Sequence, residues 1–537
     1  VRAAAPFFPE PGRIPALVAI AILRAQIFVM VTVVGVAVPA IALEMDAGTP
    51  ALFWVTTAYL LGICAPLVAL GRIGDRVGHR RVLLAGLIVY GAASFACALA
   101  PGIELLIVAR MLQGVGAAAI LPGLTALMVW VTPPRQRGRT AGALIGLMML
   151  GIAIGPFLGA LLVMGPGWRT IFLLAGAIPL ALFPLVLLRA PETGHDPRTR
   201  VPRLVSVAWA AGIIALLTGI SRAPGEGLLA PSVLVLVVAG IVLLVVAIRA
   251  DRADLHPVLD RRMTGTSLYL GSVIAVFGYQ LIILGFNVYT LRYLSLGMAL
   301  DPVASGLALL PALLPVALVA PLTGFLVDRH GHRRPVIAGF LIVALACVLL
   351  ALTHRGAGTA ELAGPFILLG IGLGLILAPS ETAAMARTEK GLRGTAAGLF
   401  QTSRESGGAV GVALISVIYA GLEAIAIHDS VMALPQAGAL EESGTMAQIM
   451  HGVPSVLDAI AREIPEMDGV MESIVAGAVT RAYTASVLGS AVVALVVVVC
   501  VRVLFPARTV APREVPADVV ATPVILPGDP PDPPSPA

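Results

Sequence analysis

Eleven residues at the end of the second long apolar run, Gly71-Arg72-Ile73-Gly74-Asp75-Arg76-Val77-Gly78-His79-Arg80-Arg81, return later in the chain as Gly324-Phe325-Leu326-Val327-Asp328-Arg329-His330-Gly331-His332-Arg333-Arg334. Both copies fit G-x-x-x-D-R-x-G-H-R-R, and they are offset by 324 − 71 = 253 residues. Self-similarity on that scale constrains the fold before any local motif does, because it makes the chain two related halves that place the same element at the same point. Each copy reads as a charged, glycine-punctuated turn between two apolar runs. The bland alternative is a generic positive loop that anchors helix ends.

The runs around the repeat decide the solvent. Of 537 residues 58% are apolar and 12% charged, with a mean hydropathy of +0.98. A chain that must cover itself with polar groups in water does not carry that balance. A bilayer core of roughly 30 Å takes about 20 apolar residues per helix. By that measure spans fall at 16–43, 51–70, 82–100, 104–130, 140–164, 169–188, 204–221, 232–249, 266–292, 304–327, 335–353, 362–386, 395–421 and 483–504. The predicted fold is an all-α polytopic membrane protein of fourteen transmembrane helices.

The repeat follows the second span and the tenth, so the count divides as six plus two plus six. The expected organisation is a cytoplasmic N-terminus over 1–15, an N-terminal six-helix bundle over 16–203, and two inserted helices with a cytoplasmic loop over 204–265. A C-terminal bundle over 266–421 and 483–504 follows, with an extracytoplasmic insert at 422–482 and a disordered proline-rich tail at 505–537. Turns after even-numbered spans hold most of the arginines, Arg72, Arg135, Arg203, Arg261 and Arg393 among them. The opposite side has Arg169, Arg222, Arg292, Arg355, Arg462 and Arg481. Positive residues stay in the cytoplasm, so both termini are expected there, with the chain in the inner or plasma membrane.

Several function classes drop out. The formal charge of +5 comes from dispersed arginines without an aromatic-interleaved basic face, so nucleic acid is not expected as a partner. Cys64, Cys97, Cys347 and Cys500 all lie in apolar runs with no C-x-x-C pair, which argues against disulfides and against a metal. Val1–Arg13 is a short basic lead rather than a cleavable signal. No H-E-x-x-H, G-x-S-x-G or P-loop marks an enzyme or a cofactor. The Gly370-Ile371-Gly372-Leu373-Gly374 run sits inside an apolar span with no strand before it, and reads as helix packing. The insert at 422–482 is too acidic to span. Within it Leu457, Ile460, Ala461 and Ile464 fall at i, i+3, i+4 and i+7, the spacing of an amphipathic helix serving as a passive cap or a gating lid.

Three stretches inside the spans carry more. In the fifth, Gly142, Gly151, Gly155, Pro156 and Gly159 include a glycine every fourth residue, which lets helix backbones approach closely, while proline bends the helix. In the fourth, Arg110 lies about seven residues inside an apolar run, at a cost on the order of 2.5–3.5 kcal/mol, and is expected to face a polar cavity or to snorkel. Among the acids only Glu381 and Glu405 stand clear of loops and helix ends. Glu405, about ten residues into its span, lies roughly 15 Å deep, and Glu381 is shallower. A carboxyl at that depth without a fixed counter-charge suits a proton carrier. Arg404 is about 100° around the helix from Glu405 and is not expected to pair with it. Pairing of Glu405 with Arg24 or another arginine is the structural alternative.

The repeat resembles the signature loop of the major facilitator superfamily of membrane transporters, G-x-x-x-D-R-x-G-x-R-R. The fifth-span glycines resemble its antiporter motif, with Ala160 in place of the last glycine. Arg110-Met111-Leu112-Gln113-Gly114-Val115-Gly116-Ala117-Ala118, Trp54-Val55-Thr56-Thr57-Ala58-Tyr59-Leu60-Leu61 and Gly407-Gly408-Ala409-Val410-Gly411 are similar to its fourteen-helix drug:proton antiporter branch. The resemblance implies two pseudo-symmetric six-helix bundles and export of small hydrophobic solutes or drugs by alternating access, as proton-coupled antiport and as a monomer. An uncoupled facilitator, a lipid-handling transporter and a non-transporting sensor or scaffold are the alternatives. It also implies a conformational latch of Gly71, Asp75, Arg76, Gly78, Arg80 and Arg81, docked on the start of the thirteenth span, with Asp328 and Arg329 as its weaker counterpart. Transport or coupling would draw on Arg110, Glu405, Glu381, Arg24 and Arg404, the partners being solute, proton and lipid bilayer. One position departs: where that branch places an acid in its first span, this chain has Met30.

Overall fold

A computed structural model describes residues 14–47, 49–133, 136–190, 192, 201–227, 229–253, 257, 264–300, 302–353, 358–386, 388, 392–432 and 468–506. Among these, sixteen α-helices follow in order. The first seven are α1 (Ile14–Met45), α2 (Thr49–Cys64), α3 (Leu67–Val77), α4 (His79–Ala98), α5 (Ile103–Val131), α6 (Arg137–Met164) and α7 (Arg169–Arg189). Next come α8 (Arg203–Glu226) and α9 (Pro231–Ala253). The last seven are α10 (Ser267–Arg292), α11 (Pro302–His330), α12 (Arg333–Leu352), α13 (Thr359–Gly374), α14 (Leu377–Ala386), α15 (Arg393–Met432) and α16 (Asp468–Leu504).

Twelve helical stretches, α2 with α3 and α13 with α14 each counting as one, are long and apolar enough to cross a membrane. The two parts of α1, which meet at 41°, make a thirteenth. The Thr32 hydroxyl donates to the Val29 carbonyl at that bend, 3.0 Å away, and back-bonding of this kind tends to bend a helix. The remaining long helix, α15, is the one that carries Arg404 and Glu405. The second span is broken where Pro66 has no N–H to return to the preceding turn, which separates α2 from α3.

Helices α1 to α7 pack among themselves, as do α10 to α16. The halves meet mainly where α6 lies on α11 and α3 on α15. The inserted α8–α9 hairpin packs through α8 on α2 of one half and α15 of the other. Glycines set these distances. A Cβ on Gly142 would run into the Ala320 carbonyl of α11, and one on Gly324 into the Gly138 carbonyl. Gly151, Gly155 and Gly159 face α1 instead, against Val29, Thr32 and Val33. Gly142 therefore belongs to a second small-residue stripe, turned toward the opposite half.

Two expectations need correction. The repeat is not a loop but the end of a helix: α3 runs to Val77 and α11 to His330, and the turn is made by one glycine, Gly78 at φ 107° or Gly331 at φ 80°. Arginine and aspartate are tolerated in a helical turn, whereas positive φ falls to glycine. The insert is also narrower than 422–482, because α15 continues to Met432 and α16 already starts at Asp468. The amphipathic segment at Leu457–Ile464 and the tail beyond 506 lie outside the described residues.

Candidate functional site

Between the halves lies a cavity of about 620 Å³, walled by residues of α1, α2, α6, α8, α10, α11, α14 and α15. Its residues on α1 (Phe28, Thr32, Val38), α8 (Leu217, Ile220, Ser221) and α10 (Tyr279 to Asn287) come from the middle and later parts of helices that start on the side of the repeat turns. The cavity is thus displaced away from those turns. Most of its wall is aliphatic, and its charged groups are Arg404 and Glu405 of α15.

Arg404 and Glu405 are bonded to each other. Glu405 Oε1 accepts from Arg404 Nε at 3.0 Å and from Nη2 at 2.5 Å, and the guanidinium covers the Phe28 ring at 4.3 Å. This corrects the expectation from helix geometry. The 100° between neighbours separates their Cβ atoms, but an arginine side chain is long enough to turn back. Glu405 does not pair with Arg24 either. Arg24 of α1 makes a two-pronged contact with Glu381 of α14, Nη1 to Oε1 at 2.8 Å and Nη2 to Oε2 at 2.5 Å, joined by the Thr125 hydroxyl of α5 at 3.2 Å. Both partners are buried, at 1% and 0% exposure. The pair links the two halves on the turn side of the cavity. Bidentate geometry of this kind is the strongest form of the contact.

Arg110 does not face the cavity. It is fully buried, with Nε donating to the Val55 carbonyl at 3.0 Å and Nη1 to Gln113 Oε1 at 2.5 Å, and its guanidinium lies 4.2 Å from the Tyr59 ring. Gln113 Nε2 passes the chain on to Ser94 Oγ at 2.7 Å. The cost of burying the charge is thus offset by acceptors and ring faces, and the result is a staple joining α5 to α2 and α4 inside one half.

Each repeat sets its aspartate on a helix N-terminus of the other half. Asp75 is fully buried and accepts from Gly394 N at 2.8 Å, Thr395 N at 2.8 Å and Thr395 Oγ1 at 2.7 Å. These are first-turn groups of α15, with no partner inside the helix and with the dipole favouring an anion. Gly71 permits the approach, since a Cβ there would strike the Gly394 carbonyl. Asp328 accepts from Gly138 N at 3.0 Å and Arg139 N at 3.2 Å, at the start of α6. Arg80 donates to the Leu187 carbonyl, and Arg81 lies 3.6 Å from Glu192. Arg76 and Arg329 are exposed and are not drawn into either contact.

His79 was missed. Read by sequence only as part of the charged turn, it is instead the buried first residue of α4, with Nε2 3.1 Å from Asp75 Oδ1. The i, i+4 spacing from Asp75 was the available signal. Its counterpart His332 sits outside the spans, where burial pushes the imidazole down to about 4 and leaves it neutral at physiological pH.

Asp75→Asn is expected to lower any activity that depends on closing this side by tenfold or more, with the chain still inserted, because the amide cannot accept from three donors on two oxygens. Asp328→Asn, with one donor fewer to lose, is expected to do less. Uptake assays on membranes with matched protein amounts check this, and equal effects would argue that both are ordinary turn residues.

A family model described as Major Facilitator Superfamily matches residues 20–412. The Tetracenomycin C resistance and export protein of Streptomyces glaucescens is 28% identical over 473 residues, 81% of this chain and 86% of its own length. Puromycin resistance protein pur8 of Streptomyces alboniger is 31% identical over 439 residues, 80% of this chain and 86% of its own. The crystal structure of the human organic anion transporter MFSD10 (TETRAN) superposes with a TM-score of 0.56 over 92% of this chain and all of that one, at 14% identity, which is a likeness of fold. The paired bundles, the two latched aspartates and a family match over most of the chain lead to one assignment: this multi-pass membrane protein belongs to the Major Facilitator Superfamily of transporters.

Proposed function

We propose that this transporter exports hydrophobic small molecules, drugs among them, by proton-coupled alternating access, and that the arrangement described is its state closed toward the cytoplasm. The observation that carries the reading is the central cavity. At about 620 Å³ it falls within the roughly 300–1,000 Å³ usual for drug-sized ligands. It lies between the two halves, where rocking of one against the other would expose it to each side in turn. On the side of the repeat turns, the Asp75, Asp328 and Arg24–Glu381 contacts all tie one half to the other. The arginine asymmetry supports reading that side as cytoplasmic, with both termini there and the membrane as the cell's inner or plasma membrane. The names of the two Streptomyces relatives, a resistance and export protein and a resistance protein, support export of compounds of that kind.

The proton is assigned to Glu405, where it would be taken up in exchange for the Arg404 contact and not by an unpaired carboxylate. A coupling carboxyl must be reachable from the side to which the cavity opens, and Glu405 lines the cavity whereas Glu381 does not. The test is flux of an uncharged dye, Nile red, in proteoliposomes. Accumulation inside acid-loaded vesicles, lost when the gradient is collapsed, supports antiport. Equal flux with and without the gradient points to an uncoupled facilitator, and no flux at all favours a sensor or scaffold that keeps the fold.

A further inference from the structure

We propose that the occupant of the central cavity is an uncharged hydrophobic molecule carrying several hydrogen-bonding oxygens, and that lipophilic cations are rejected. The inference rests on reading the cavity as the transport site, and deepens it.

The first observation is how charge is distributed on the wall. Among the described residues the lining has one base and one acid, Arg404 and Glu405, and they are committed to each other by two hydrogen bonds to a single carboxylate oxygen. A cation entering the cavity would shed its hydration and meet a carboxylate already neutralised from the next residue. Desolvation without a free counter-charge is unfavourable. The usual substitute for an anion is an aromatic face, and of the two rings in the lining Phe28 is covered by the Arg404 guanidinium at 4.3 Å and Tyr279 is fully buried. An anion gains little more, because the Arg404 charge is already balanced by Glu405, which holds its Nε and Nη2 donors.

The second observation is what remains polar. Gln280 and Asn287 lie seven residues apart on α10, two helical turns, so they share one stripe with Ile283 and Leu284. Both are partly exposed on the cavity wall. Thr32 of α1, Thr56 of α2 and Ser221 of α8 add partly exposed hydroxyls from other sides. Amides and hydroxyls each offer donors and acceptors and carry no charge. A flat or bulky apolar skeleton with carbonyl and hydroxyl oxygens matches that wall: its rings replace water against the aliphatic side chains, and its oxygens meet the amides.

The test is equilibrium binding to the purified full-length chain in lipid nanodiscs at mildly acidic pH. The probes are 1,8-dihydroxyanthraquinone, uncharged and oxygen-bearing, and proflavine, a tricyclic cation of similar size. The quinone is expected to bind about tenfold more tightly or better, and Gln280→Leu is expected to weaken it about fivefold or more by leaving its oxygens unmatched. Arg404→Met, which frees the carboxylate, is expected to raise proflavine affinity about tenfold. Proflavine binding equal to or tighter than the quinone by the unaltered chain overturns the proposal, whether or not the variants fold, as does an affinity for the quinone unmoved by Gln280→Leu. A chain that transports Nile red yet prefers proflavine keeps the export reading and loses this one. A chain that prefers the quinone and transports nothing does the reverse.

Discussion

Glu381→Gln is expected to shift the transporter from the state closed on the cytoplasmic side to one open there. In the structure, proposed to be the closed state, Arg24 and Glu381 meet across the two halves, both buried, with two short bonds and the Thr125 hydroxyl as a third. Removing the carboxylate leaves a buried guanidinium with no counter-charge, which costs about 3–5 kcal/mol, a hundredfold or more in the ratio of states. Separation of the halves lets water reach Arg24, so the penalty falls mainly on the closed state. Spin labels at exposed Arg76 and Arg329, one beside each repeat turn, should report a longer distance in the variant. Exchanging the charges, Arg24→Glu with Glu381→Arg, should return the distance toward its starting value. Unchanged distances in the single variant would mean that the aspartate latches alone hold this side shut.

Glu405→Gln is the second large effect. Unlike Arg24, Arg404 lines the cavity, so in Glu405→Gln its guanidinium keeps the amide oxygen as an acceptor and can be reached by cavity water, and the chain is expected to fold and to bind an uncharged ligand within about threefold of the unaltered affinity. It cannot take up a proton, and dye accumulation driven by a pH gradient should vanish while downhill exchange persists. Gradient-driven accumulation that survives in Glu405→Gln would move the proton to Glu381 or to a carboxyl outside the cavity.

The halves, the two inserted helices and the contact of the repeat aspartate with a helix N-terminus were legible in the sequence for simple reasons. Apolar runs of a bilayer's length mark spans, the 253-residue repeat marks the halves, and an acid in a basic turn next to glycine asks for a helix N-terminus. What failed involves side-chain reach or contacts between distant parts of the chain. Arg24 and Glu381 are 357 positions apart, and nothing local to either indicates the other. Glu405 looked unpaired because a helical wheel fixes Cβ directions and ignores the length of arginine. Arg110 was expected to need a polar cavity, yet one main-chain carbonyl, one glutamine and an aromatic face accommodate it. The repeat was read as a loop because its charges look like loop composition, while only Gly78 and Gly331 leave the helix. His79 was passed over because that same loop reading hid its helical spacing from Asp75.

Alternating access is tested most directly by asking from which side the cavity can be reached. With Cys64, Cys97, Cys347 and Cys500 replaced, a single cysteine at Thr56, on the cavity wall and partly exposed, is offered a membrane-impermeant maleimide in right-side-out and in inverted vesicles. The expected result is labelling from the outer face, slowed by 1,8-dihydroxyanthraquinone, and little from the cytoplasmic face until Glu381→Gln is introduced. Labelling of the unaltered protein from the cytoplasmic face alone, or from both faces equally, would contradict a cavity closed on the cytoplasmic side by the Asp75, Asp328 and Arg24–Glu381 contacts.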